Sequence, residues 1–215
     1  MSEIIPTILT NDPVDLENKI QKLSGLVNRV QIDIIDGLFL PEKTILLEDL
    51  KPIETFLKLD IHLMVKDPQS WLDRCVDALA DQVIGQVEMM ENQEDFITHA
   101  AETAGLRIGL GLDIETPVSI IAKDTLMKLD SVLIMTRKAG FGEFPFEEKT
   151  LEKVRELRKM GFTKEICVDG GINSENIKKC LEVGADLLAV GGAIWNSEDI
   201  AFEIQKLKVK SQNFK

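Results

Sequence analysis

Two carboxylates and one imidazole interrupt runs that are otherwise apolar. Asp33 sits in Arg29-Val-Gln-Ile-Asp-Ile-Ile35, His62 in Lys58-Leu-Asp-Ile-His-Leu-Met64, and Asp169 in Glu165-Ile-Cys-Val-Asp-Gly-Gly171. Burying an unpaired charge is costly, so each group must be paired, ligated or turned towards a wet cavity. One imidazole with two carboxylates is a donor set for a divalent metal such as zinc. Two carboxylates are also the groups an acid–base exchange of protons requires. Asp36 and Asp60 interrupt the same runs, and are read as a turn residue beside Gly37 and a member of a buried polar network. His99, the other histidine, lies in the charged stretch Gln93–Ala104 and reads as a solvated surface residue.

Glycines supply a second signal. Gly140-Phe141-Gly142, Gly170-Gly171 and Gly191-Gly192 all fall after residue 139. Without a Cβ, glycine lets backbone N–H groups approach an anion closely. Three such clusters favour a phosphate site, with tight turns as the alternative reading of each.

Alternation of short and long segments must position these residues. Strands are expected at Glu3–Leu9, Arg29–Asp36, Lys58–Val65, Gln82–Glu88, Arg107–Leu112, Ser131–Thr136, Glu165–Gly171 and Leu187–Gly192. Amphipathic helical patterns fall at Asp12–Ser24, Leu46–Phe56, Gln69–Ala80, Gln93–Ala104, Pro117–Lys123, Glu147–Met160, Ser174–Val183 and Ser197–Val209. Strict alternation implies a parallel sheet with right-handed crossovers. Eight units in 215 residues predict one (β/α)8 TIM barrel domain spanning residues 1–215, of the kind that binds at the C-terminal ends of its strands. An open doubly wound sheet is the runner-up, but its phosphate turn is missing: Gly109-Leu-Gly111 lacks a third glycine and sits mid-chain. Side chains alternate along a strand, so Gln31 shares a face with Asp33, Asp60 and Met64 with His62, Gln86 with Glu88, and Cys167 with Asp169. Asn11-Asp12-Pro13 and Lys66-Asp67-Pro68 read as helix starts. Gly105, Gly161 and Gly184 read as helix C-caps. The basic tail from Lys206 to Lys215 reads as the frayed end of the last helix.

The net charge of −12 excludes nucleic acid and acidic membranes as nonspecific partners, and requires local positive potential for any anionic substrate. Cys75, Cys167 and Cys180 form no CxxC pair and read as reduced thiols. With no basic segment ahead of a long apolar run, and no run of about 20 apolar residues, a cytoplasmic location without membrane contact is expected.

In order along the chain come Pro6-Thr-Ile-Leu9, Asp33-Ile-Ile-Asp-Gly37, Phe39-Leu-Pro41, Asp60-Ile-His-Leu-Met-Val65, Met135-Thr136, Gly140-Phe-Gly142, Val168-Asp-Gly-Gly-Ile172 and Val190-Gly-Gly-Ala-Ile194. This set resembles the ribulose-phosphate 3-epimerases over nearly the whole chain. The resemblance implies C3 epimerisation of a phosphorylated ketose, with D-ribulose 5-phosphate as the default substrate and one divalent metal as cofactor. Zinc is the first choice, with iron, manganese or cobalt as alternatives. It makes Asp33 and Asp169 ligands and proton carriers, and His62 a ligand. Thr7, Met64 and Met135 then line the substrate site, with Gly140, Phe141, Gly142, Gly170, Gly171, Gly191 and Gly192 around the sugar phosphate. A homo-oligomer is also implied. The sequence departs from the pattern where Gln31 replaces a metal-binding histidine, Ile35 a methionine and Gln86 a histidine. Gln31 is a weaker candidate ligand, so a weakly bound or absent metal stays open. So do a hexulose phosphate substrate and a sugar-phosphate-binding homologue without turnover. Arg137 and Lys138 are candidates to offset the negative charge near an anion, with Glu143 opposing them.

Overall fold

The computed structural model describes residues 2–102 and 105–212. Apolar runs rich in Ile, Val and Leu pair in parallel as β1 (Glu3–Ile8), β2 (Arg29–Ile35), β3 (Lys58–Met64), β4 (Gln82–Gln86), β5 (Arg107–Leu112), β6 (Ser131–Met135), β7 (Glu165–Asp169) and β8 (Leu187–Val190). Each strand pairs with the next in sequence, and β8 returns to β1, closing the barrel. The expected (β/α)8 architecture is therefore observed.

Helices α1 (Pro13–Leu23), α2 (Leu72–Asp77), α3 (Gln93–Glu102), α4 (Lys123–Leu126), α5 (Leu151–Lys159), α6 (Ile177–Glu182), α7 (Gly192–Trp195) and α8 (Ile200–Gln212) wrap the barrel. Asp12 caps α1 as expected, its carboxylate accepting from Val14 N at 2.9 Å. The helix expected over Leu46–Phe56 is instead a single 3-10 turn, Leu47–Leu50. Pro52 explains the shortening, because it lacks the N–H that a second turn would need. The patterns at Gln69–Ala80, Pro117–Lys123 and Glu147–Met160 likewise begin as 3-10 turns, at Pro68–Trp71, Val118–Ile120 and Glu148–Thr150. Asp67 does not cap its turn: it is left-handed (φ 49°) and makes no side-chain cap bond. Thr103 and Ala104, the expected end of α3, lie outside the described residues, as do residues 213–215 of the basic tail. Gly105, Gly161 and Gly184 all adopt positive φ, as helix-ending glycines should. Up to residue 212 the tail is helix and is tied down, not frayed. Lys208 Nζ donates to Leu26 O at 2.7 Å, Lys210 Nζ to Ser174 O at 2.8 Å, and Ser211 is buried.

Alternation along the strands creates two apolar layers. One, including Ile32, Ile61, Val83, Leu110, Val132 and Val168, packs between the barrel and its helices. The other, including Ile5, Ile35, Met64, Ile84, Leu133 and Cys167, fills the barrel interior. Below it lies a polar floor at the N-terminal ends of the strands. There Arg29 Nε stands 2.6 Å from Asp60 Oδ2, Arg29 donates to Gln82 at 3.0 Å, and Gln82 donates to Ser131 at 2.9 Å. Asp60 is thus the expected network residue, and it serves the floor rather than the open end. No helix among the described residues is long and apolar enough to cross a membrane.

Candidate metal centre and substrate cavity

Strand register brings the chemistry together. Asp33 pairs laterally with His62 across β2 and β3, while Met135 pairs with Asp169 across β6 and β7. Their side chains point inward near the C-terminal ends of the strands, and ligand atoms from Asp33, His62 and Asp169 lie within 4.8 Å of one another. His62 Nδ1 is 3.1 Å from Asp33 Oδ1 and 3.8 Å from Asp169 Oδ2. All three residues are buried, so their mutual fields are weakly screened. Burial alone would lower the His62 pKa, but its bond to Asp33 and the charges of Asp33 and Asp169 raise it above the usual value. Burial, reinforced by the Asp33 charge, pushes the Asp169 carboxyl up to about 6, against the opposing pull of His62 and Gln31.

Gln31, one inward position below Asp33, donates from Nε2 to Asp33 Oδ1 at 2.8 Å and to Asp169 Oδ2 at 2.6 Å. Carboxylates only accept, so the amide nitrogen, not its oxygen, faces the acids. Behind the imidazole, Nε2 of His62 and both polar atoms of Gln86 have no hydrogen-bonding partner among the described residues. The two side chains still approach closely enough for Gln86 to favour charge on the ring. Gly111 makes room for them, since a Cβ there would run into Gln86 Oε1. Glu88 does not share this face. The fourth strand ends at Gln86, and Glu88 lies on a 3-10 turn with its carboxylate accepting from Asp113 N at 2.7 Å.

The donor chemistry fits a divalent cation. Two carboxylate oxygens and one imidazole nitrogen are three ligands for an open catalytic site, and a hydrogen bond from the orphaned ring nitrogen to the Gln86 amide beside it would be the kind of outer contact that orients a ligating histidine.

Asp33 and Asp169 open into a cavity of about 690 Å³ over the C-terminal ends of the strands. Thr7, Met64 and Met135 line it, as do Gly140, Phe141 and Gly142 on one side and Gly170, Gly171, Gly191 and Gly192 on the other. His62 and Gln31 lie beneath it, with 0 and 1% of their surface exposed. Gly170 (φ 119°) cannot carry a side chain, because a Cβ would meet Arg137 Cγ and lie 2.8 Å from Arg137 N. A Cβ at Gly191 would lie 2.8 Å from Thr7 Oγ1.

Sequence reasoning missed several lining residues, namely Lys19, Asn173, Trp195 and Asn196. Trp195 Nε1 donates to Thr7 O at 2.7 Å, tying α7 to β1. Lys19 Nζ lies 5.4 Å from the Trp195 ring and 2.6 Å from Asp15. The position of Trp195 just after Gly191-Gly192 was the available signal. Arg137 lines the cavity but gives its N–H groups to the carbonyls of Gly142 and Gly140, at 2.9 and 3.0 Å, and so braces the loop. Lys138 stands 5.4 Å from the Phe144 ring instead of on the cavity wall. Glu143 is on the wall. Asp36 makes the expected turn, accepting from Leu38 N and Phe39 N. His99 is half-buried, 3.6 Å from Asp73, so it is not the freely solvated residue expected.

Residues 3–195 match the model of the ribulose-phosphate 3 epimerase family. A ribulose-phosphate 3-epimerase of Bacillus subtilis (strain 168) is 33% identical, over 97% of this chain and 99% of its own. A chloroplastic ribulose-5-phosphate-3-epimerase of Arabidopsis thaliana is 33% identical, over 98% of this chain and 78% of its own. Among solved structures, KGPDC from Streptococcus mutans superposes with a TM-score of 0.74 at 15% identity, covering 100% of this chain and 99% of that one. The 3-hexulose-6-phosphate synthase from Salmonella typhimurium gives 0.72 at 16% identity, covering 99 and 100%. At such identities these two likenesses speak for the fold alone.

Proposed function

The chain belongs to the ribulose-phosphate 3-epimerase family, and from that premise we propose that it interconverts D-ribulose 5-phosphate and D-xylulose 5-phosphate by inverting C3. The observation that carries the reading is the convergence of Asp33, His62 and Asp169 at the base of one cavity.

Inversion needs a proton removed from one face of C3 and another delivered to the opposite face, so two groups are required. Asp33 on β2 and Asp169 on β7 approach from different parts of the barrel wall. Each serves as base in one direction of the reaction and as acid in the other. Asp33, His62 and Asp169 would hold a divalent cation, with zinc favoured by the imidazole–carboxylate set. When bound, such a cation supplies Lewis-acid stabilisation of negative charge developing on the substrate. Were the Gln86 amide oxygen to accept an Nε2 proton of His62, Nδ1 would be left free to ligate.

Met64 and Met135 form apolar walls that exclude water beside the two acids. Thr7 brings a hydroxyl to the same cavity. The sugar phosphate is assigned to the backbone around Gly170, Gly171, Gly191 and Gly192, which lines the cavity on one side. Gly140, Phe141 and Gly142 stand across the cavity as the opposing wall. The positive charge of Arg137 locally counters the net charge of −12, while that of Lys19 is paired with Asp15. Three buried, unpaired thiols fit a reducing cytoplasm.

A coupled optical assay for xylulose 5-phosphate tests the reading. Metal-loaded protein given ribulose 5-phosphate should bring the two sugars to equilibrium. Absence of conversion with zinc, iron, manganese and cobalt in turn would reject it.

A further inference from the structure

We infer that the Gln31 amide competes with the cation: in metal-free protein it clamps Asp33 to Asp169, and a divalent ion binds only by displacing it. The inference rests on reading Asp33, His62 and Asp169 as cation ligands, but not on which sugar is turned over.

The contacts lead there directly. One amide nitrogen reaches Asp33 Oδ1 at 2.8 Å and Asp169 Oδ2 at 2.6 Å. These are the same two oxygens that lie 3.1 and 3.8 Å from His62 Nδ1. An NH₂ group has two protons, and here each has a carboxylate to receive it. Two facing carboxylates repel one another, and a neutral double donor holds them together without a metal. An ion coordinated by those same three atoms would meet N–H bonds pointing towards it, which is an unfavourable dipole for a cation. Gln31 must therefore swing its amide off the two oxygens before the ion settles. Rotation about the terminal amide torsion is soft, so the exchange needs no backbone movement. Gln31 is buried with 1% of its surface exposed, so water does not readily replace the donor it takes away.

This assignment differs in sign from a fourth-ligand role. If Gln31 ligates through its oxygen, removing the amide weakens metal binding. If it competes, removing the amide strengthens binding. Gln31→Met keeps an unbranched side chain of similar length and has no donor. The test titrates zinc into metal-free wild-type and Gln31→Met proteins, by competition with a chromophoric chelator and without sugar. Losing two hydrogen bonds to charged acceptors should tighten zinc binding by about tenfold or more. The metal-free variant should also melt at a lower temperature than metal-free wild type, and zinc should restore it. Equal or weaker zinc binding by the variant overturns the proposal.

A measurement on wild type guards against a variant that does not fold. In protein labelled with 15N at glutamine side chains, the Gln31 NH₂ resonances should move on zinc saturation while glutamine side chains remote from Asp33, His62 and Asp169 stay fixed. Unmoved Gln31 resonances at saturation also overturn the proposal. Neither readout involves turnover, so failure here is distinct from failure of the epimerase assay.

Discussion

At the residue scale, chemistry depends on burial converting ordinary groups into a coupled set. Asp33 and Asp169 each have few neighbours able to carry their charge, and His62 and Gln31 provide them. Asp33→Asn and Asp169→Asn preserve shape and remove the proton-carrying oxygen. Each should lower kcat for epimerisation by about 10²- to 10⁴-fold, with a smaller change in KM, as steady-state kinetics would show. A variant retaining full kcat would remove that residue from proton transfer. Much of this set was legible in the sequence, because a charged residue inside an Ile/Val run demands a partner. The donor role of Gln31 was not. Whether an amide presents nitrogen or oxygen depends on which groups face it, and here the answer comes from Asp169, 138 positions along the chain.

At the scale of elements, the barrel works because small residues at strand ends let loops approach the cavity. Gly170 is the clearest case, with φ at 119° and Arg137 against the position of a Cβ. Gly170→Ala should destabilise the protein by about 1–3 kcal/mol and displace the loop after β6 that Arg137 braces. Denaturant unfolding would measure the first effect, and a raised KM for sugar phosphate the second. Stability and KM both unchanged would contradict the strain assigned to this position. Strand positions were readable from period-two alternation, and most observed ends fall within one or two residues of the expected ones. Helix lengths were less so. The crossover after β2 looked amphipathic, yet Pro52 limits it to the turn Leu47–Leu50. Gly109 and Gly111 were read as a deficient phosphate turn. In the barrel they are inward positions where a Cβ would strike Ser131 and Gln86.

For the whole molecule, closure creates an interior without edges, and the interior sets the reactivity of what it encloses. Burial pushes the thiols of Cys75 and Cys180 up to about 12 and that of Cys167 well above its usual value. A pKa raised on folding contributes stability that is complete below the ordinary thiol value of 9.0 and is lost as pH rises towards about 12. Alkylation of native protein should thus stay slow from pH 7 to 9, while the three thiols of unfolded chains react roughly tenfold faster per pH unit up to about 8.5. Rapid native labelling that grows with pH in that range would show an accessible thiolate and contradict the packing. The same closed geometry brings residues from β2, β3 and β7 over one cavity, and that convergence is the claim from which the function follows. Its most direct test is proton exchange at carbon. Metal-loaded protein incubated with ribulose 5-phosphate in D₂O should place deuterium at C3 of both sugars, and either asparagine variant should stop label from appearing in the inverted sugar. Unlabelled C3 in the presence of active-site metal, or full labelling by both variants, would contradict the account.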